Sequence, residues 1–82
     1  LKRFTVNCSR VHYAVILAWC RQSEVVPHDL TEAGVYEPIN LDALIGWYST
    51  YSGTNTAWFS LYVDEIEYTL LALRWPQYHC KS

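Results

Sequence analysis

The stretch Asn40-Leu41-Asp42-Ala43-Leu44-Ile45-Gly46-Trp47-Tyr48-Ser49-Thr50-Tyr51 reads two ways, and the architecture turns on which is taken. As a helix, it opens on Asn40, a strong N-cap, with Asp42 in the first turn where the helix dipole favours an acid. Leu41, Leu44, Ile45 and Tyr48 then recur at i, i+3, i+4 and i+7, the spacing of one helical face. Gly53 supplies a stop, while Gly46 weakens the helix by about 1 kcal/mol relative to Ala. As a strand, residues 44–51 pair with Thr56–Val63 across Ser52-Gly53-Thr54-Asn55, and Trp47, Tyr48, Thr50 and Tyr51 suit a sheet. The helix is the preferred reading.

Downstream, Thr56–Val63 carries Trp58, Phe59, Tyr62 and Val63 and predicts a strand. Asp64-Glu65-Ile66-Glu67 has the form of a capping box, an acid at the N-cap and Glu three residues on. Ile66, Leu70 and Leu73 supply the apolar stripe of the helix that follows, and Arg74 suits its C-terminal end. Pro76 ends it, and Gln77–Lys81 is long enough for a last short strand. Upstream, Gly34–Ile39 predicts a strand that Pro38 confines to an edge or an end, and Val25–Thr31 reads as a loop. Arg10–Glu24 has Val11, Ala14, Val15, Ala18 and Trp19 at helical spacing after Ser9 as a cap. Tyr13–Cys20 is apolar all round, so a buried strand competes there. Lys2–Cys8 alternates, with Phe4, Val6 and Cys8 on one side.

With residues 40–51 helical, the order is β-α-β-α-β-α-β. That predicts a single α/β domain over residues 1–82, three helices packed on a short, mainly parallel sheet of three or four strands. With residues 44–51 as a strand, the order becomes β-α-β-β-α-β, the α+β ferredoxin-like, split-βαβ arrangement.

The 82 residues are 51% hydrophobic and 17% charged, which excludes disorder and low-complexity classes. The longest apolar run, Tyr13–Cys20, is too short to span a bilayer, and no signal peptide or lipidation motif is visible. No membrane role is expected. The net charge is −2, which argues against nucleic acid. Trp58, Phe59 and Tyr62 have no Lys or Arg beside them to neutralise phosphate. The charges are segregated: no Lys or Arg occurs between Gln22 and Leu73, and all eight acids lie there. Either the fold sets basic ends beside an acidic middle, or an acidic face steers a basic partner.

Three glycines, Gly34, Gly46 and Gly53, make no phosphate-binding loop, so no nucleotide cofactor is expected. Cys8, His12 and the pair His79-Cys80 do not follow a zinc spacing, so no metal is expected. An odd number of cysteines, Cys8, Cys20 and Cys80, is no closed disulfide framework and favours a reducing, cytoplasmic setting. The triplet Asn7-Cys8-Ser9 is formally a glycosylation sequon. Cys8 is the one candidate reactive thiol. It stands at a strand end before a helix N-terminus, where backbone N–H groups favour a thiolate, with His12 or His28 as candidate base. The scattered acids show no apolar pocket suited to acid catalysis, and no serine-nucleophile motif occurs.

One local resemblance bears on function. Asn40-Leu41-Asp42-Ala43-Leu44, with Tyr36 before it and Trp47 after, resembles the inhibitor helix of the barstar family, small parallel α/β proteins whose acidic face plugs a ribonuclease. It covers about a dozen residues. The run before it is unlike that family, and Gln77–Lys81 is more polar than the family's last strand. The resemblance implies Asp42 as a contact residue. Four Trp and seven Tyr in so small a chain exceed what a core of this size conceals. Together these features predict a non-catalytic domain with an aromatic and acidic protein-binding surface, its candidate contacts Asp42, Trp47, Tyr48 and Tyr51. The expected partner is a basic protein or a second copy. The alternatives are an artificial scaffold without biological activity and a thiol-dependent enzyme using Cys8.

Overall fold

The computed structural model describes residues 1–51 and 53–80, the last two by their backbone alone. Lys81, the end of the expected last strand, lies outside the described residues, as does the Cys80 side chain. The elements are β1 (Lys2–Ser9), α1 (Arg10–Gln22), β2 (His28–Leu30), β3 (Tyr36–Pro38), α2 (Leu41–Ser49), β4 (Thr56–Val63), α3 (Glu65–Arg74) and β5 (His79–Cys80). The protein is a small α/β domain of three helices on one five-stranded sheet, in the order β3-β2-β4-β1-β5.

Every pairing in that sheet is antiparallel. This corrects the expected mainly parallel sheet. Strands linked by a helix are not neighbours in the sheet. Each helix instead joins two strands that run the same way but lie two places apart, and an antiparallel strand fills the gap. Helix α1 links β1 to β2 around β4, α2 links β3 to β4 around β2, and α3 links β4 to β5 around β1. Without β3 and α2, the order β2-β4-β1-β5 is the interlocked split-βαβ arrangement of the alternative reading. It arises by another route: residues 41–49 are helical, and the strand partner of β4 comes from His28–Leu30, which the sequence reads as loop. Three residues, two of them polar, carry no period that could reveal a strand. The β2–β3 hairpin closes on Thr31, whose backbone N–H donates to the Val35 carbonyl while its Oγ1 accepts from the Val35 N–H. Gly34 sits at φ +80 in this turn, a conformation L side chains rarely adopt. Pro38 lies on edge strand β3, where its missing N–H costs no ladder bond.

Residues Lys2–Ser9 pair in full with Thr56–Val63, which sets the faces of the two central strands. Phe4, Val6 and Cys8 of β1 and Leu61 and Val63 of β4 are buried under the helices. From α1 the core takes Tyr13, Ile16, Leu17 and Cys20; Leu71 and Trp75 come from α3 and the residue after it. Val15 is exposed, so the all-apolar run is a helix covered on most sides rather than a strand. The opposite face of the sheet bears no helix. It presents Arg3, Thr5 and Asn7 of β1 beside Trp58, Ser60 and Tyr62 of β4.

The expected caps are present. Ser9 accepts from the His12 N–H, and Asn40 accepts from the Ala43 N–H. Asp64 and Glu67 form a reciprocal capping box. Asp64 Oδ1 accepts from the Glu67 N–H at 2.8 Å, and Glu67 Oε1 accepts from the Asp64 N–H at 3.3 Å. Glu67 Oε2 also accepts from the Val26 N–H, tying the chain after α1 to the start of α3. Asp64→Ala is expected to cost about 1 kcal/mol in urea unfolding, since it orphans one N-terminal donor.

The expected apolar stripe of α3 is not its core face. Ile66 and Leu73 are each 75% exposed and Leu70 is 45% exposed. The helix turns Leu71, with half-buried Tyr68 and Ala72, onto the core. At 100° per residue that face lies roughly opposite Ile66, Leu70 and Leu73. Both faces of α3 are apolar, and β1 with its Phe4 ring selects the one that carries Tyr68.

Candidate functional site

The four contact residues read from α2 fall into different settings. Asp42 is exposed and bound to Arg21 at the end of α1, Nε to Oδ1 3.0 Å. The Arg10 guanidinium, at the start of α1, lies 4.2 Å from the centre of the Tyr51 ring and 5.3 Å from that of Trp47. These contacts hold α1 and α2 antiparallel and clamp them at both ends. Exposed ion pairs contribute at most about 1 kcal/mol, and cation–π contacts at exposed sites about the same. Asp42, Trp47 and Tyr51 already have intrachain cations. Segregated charge is thus partly explained inside the fold: two basic residues of the first quarter meet the middle of the chain.

Tyr48 is different. Its ring packs edge-on against Tyr13 and Phe59, and Tyr13 stacks on Phe59 at 4.1 Å between ring centres. This aromatic cluster seats α2 on α1 and β4. Burial raises the Tyr13 hydroxyl pKa far above its ordinary value, and the neighbouring Tyr48 adds to the effect. Burial also pushes the Cys20 thiol up to about 12, with Glu67 a lesser cause.

Beside Tyr48 the β2–β3 hairpin and α2 enclose a cleft of about 470 Å³. Asp29, Glu37, Asn40, Leu44 and Tyr48 contribute to its walls. Asp29 and Glu37 stand directly opposite each other in the β2–β3 pairing. His28 of β2 pairs with Tyr62 on the open face of the sheet, so the alternation of the strand turns Asp29 toward α2. Like charges in that register repel. Among the described residues neither carboxylate has a Lys or Arg partner; the ion pair seen there is Arg21–Asp42. Asp29 Oδ1 accepts from the adjacent Leu30 N–H. Asp29 and Glu37 were not singled out from the sequence. The absence of cations from residue 22 to residue 73 was the available signal, but the hairpin that pairs the two acids was not legible.

Cys8 lies where expected, at the end of β1 before the capped start of α1, but its side chain is 1% exposed. Of the two candidate bases, His12 borders the same cavity as Cys8. His12 Nδ1 is 3.0 Å from Ser9 Oγ, and the His12 ring rests on Tyr78. His28 lies on β2, two strands from β1. Cys8 forms part of the floor of a second cavity, about 510 Å³, that also borders Asn7, Ser9, His12 and Tyr78. No group of three or more His, Cys, Asp or Glu among the described residues could hold a metal ion. No helix among them is long and apolar enough to cross a membrane.

No family model, curated protein or solved structure matches the chain. The parallel sheet that the barstar resemblance implies is not present, and Asp42, its implied contact residue, is held by Arg21.

Proposed function

We propose that the protein is a non-catalytic binding domain whose acidic and aromatic cleft takes a basic side chain from a protein partner. The observation that carries this reading is the unneutralised pair Asp29–Glu37 on one wall of a cleft whose other wall holds Tyr48. A Lys or Arg entering between the carboxylates relieves their repulsion, and an aromatic wall favours a cation as well. Of the residues read from the sequence, Tyr48 lies in this cleft. Asp42, Trp47 and Tyr51 are not among its lining residues; they form the clamp that holds α2 to α1.

The test is titration of the protein with a short oligo-arginine peptide, followed by tryptophan fluorescence and by amide shifts of Ala43 and Leu44. The intact protein is expected to bind with shifts centred on α2. Asp29→Asn with Glu37→Gln is expected to weaken binding at least tenfold, and Asp42→Asn less than twofold. Weakening per removed charge as large for Asp42→Asn as for the pair would reduce the effect to net charge and remove the cleft from the account.

A further inference from the structure

Strand β4 has one edge covered and the other largely open. On one side its whole length, Thr56–Val63, pairs with β1. On the other side β2 meets it at Tyr62, through His28, and the pairing goes no further. Over Thr56–Ser60 no strand among the described residues pairs with that side. Residues of an antiparallel strand direct their N–H and C=O groups alternately to one neighbour and the other. The open edge therefore presents main-chain donors and acceptors with no strand to take them. Thr56, Trp58 and Ser60 are exposed, Trp58 to 67%. The acidic cleft reaches this edge, since Ser60 borders it. The Ser60 hydroxyl lies on the open face of the sheet, 3.2 Å from Thr5 Oγ1, so it is the backbone of β4 that the cleft reaches.

Given that the cleft takes a basic side chain, as proposed above, we infer that the partner presents it on an extended segment. That segment adds to β4 over Thr56–Ser60 as an antiparallel strand, in line with β2. Main-chain hydrogen bonds to the open edge supply affinity, and alternate side chains supply selectivity. The alternation fixes which way those side chains point. A residue opposite Phe59 shares the helix-side face, where Phe59 stacks on Tyr13. The His28–Tyr62 pairing sets Asp29 level with Leu61, about 7 Å farther along on that face and within reach of an arginine side chain. The residues on either side of the arginine fall on the open face, beside Trp58 and Ser60. A second copy does not meet this requirement through the same edge. Two β4 strands paired edge to edge would bring Thr56–Ser60 of each copy to the other, and no Lys or Arg lies between Gln22 and Leu73 to enter the cleft. Asp29 and Glu37 would stay unneutralised.

The probe is a short capped peptide of alternating valine and threonine with one central arginine, added to the isotope-labelled full chain. Binding is expected to slow amide exchange at alternate residues of Thr56–Ser60 and to shift the amides of Asp29 and Glu37. Two N-methylated forms of the peptide, one blocked at the N–H groups of odd residues and one at those of even residues, separate the edge from charge. The form blocked toward β4 is expected to bind at least tenfold more weakly than the parent, and the other form within about threefold of it. Citrulline in place of arginine keeps the shape and removes the charge, and is expected to bind at least tenfold more weakly. Equal binding by the two N-methylated forms overturns the edge pairing, while the citrulline result still reports on the cleft. Equal binding by the citrulline peptide and the parent overturns the cleft reading and the proposal with it. Slowed exchange over Thr56–Ser60 on raising the protein concentration alone assigns the edge to a second copy and also overturns the proposal. All the changes are made in the peptide, so the fold of the protein is the same in every arm.

Discussion

Alkaline titration is expected to unfold the domain between about pH 10 and pH 12, with the loss starting near pH 9. In the unfolded chain Cys20 ionises around its ordinary value of 9.0, and Tyr13 around 10.0. In the folded chain both are buried, and burial disfavours the charged form, so both keep their protons to higher pH. Above pH 9 the unfolded state therefore binds fewer protons than the native state, and stability falls as pH rises. Below pH 9 neither group adds a slope. One retained proton corresponds to about 1.4 kcal/mol per pH unit, and two to about 2.7. By pH 12 the accumulated loss is of the same order as the whole stability of a domain of this length, about 4 to 12 kcal/mol. Urea unfolding at pH 8, 10 and 11 measures the slope. Tyr13→Phe keeps the ring that stacks on Phe59 and removes the phenolic proton. It is expected to move the alkaline midpoint upward while leaving stability at pH 7 nearly unchanged. A midpoint indifferent to this change, and to Cys20→Ala, would place the alkaline lability elsewhere.

Phe4→Ala has the largest effect among single core changes, an expected loss of about 3 to 5 kcal/mol in urea unfolding. Phe4 is 0% exposed on central strand β1, opposite Leu61, and its ring meets Tyr68 edge-on at 5.5 Å between centres. It therefore joins the sheet to α3. Truncation removes apolar area and leaves a cavity between two elements that the β1–β4 ladder holds in place. The same contact selects the inward face of α3, so the variant also loosens the helix that carries Ile66, Leu70 and Leu73. Leu73→Ala, at 75% exposure, is the control and is expected to change the stability of the monomer by no more than about 0.5 kcal/mol. Equal losses at the two positions would mean that the two faces of α3 have been assigned the wrong way round.

Signals carried by local chemistry were legible in the sequence. Ser9, Asn40 and Asp64 cap helices because their short oxygens reach N–H groups two or three residues on, a relation contained in a few consecutive residues. The strand Thr56–Val63 was equally plain from its composition. What failed depended on distant partners. Strand direction is not written in β1 or β4, because a strand between two crossover-linked neighbours looks the same locally as one beside them. Ile66, Leu70 and Leu73 have the spacing of a core stripe, and so does the face that carries Tyr68 and Leu71; only the Phe4 ring distinguishes them. The acids Asp29 and Glu37 are eight residues apart in the chain, and the hairpin that unites them includes the three-residue strand His28–Leu30. Of the site, Tyr48 was legible because it sits on a periodic helix. Its acidic counterparts were not.

The pairing of Lys2–Ser9 with Thr56–Val63 also governs when the chain can become structured. Thr5 and Ser60, whose hydroxyls meet across the two middle strands, are 55 residues apart. Closing so long a loop costs entropy before any buried contact repays it, and such non-local pairing slows folding. During synthesis, a chain that has emerged only as far as Asn55 holds α1, the β2–β3 hairpin and α2, yet β1 and β2 have no strand between them. The apolar sides of Phe4, Val6, Ile16 and Leu17 stay unclosed until β4 inserts. Strand β4 is thus the keystone, and the nascent protein is most open to misassociation in the interval before it arrives.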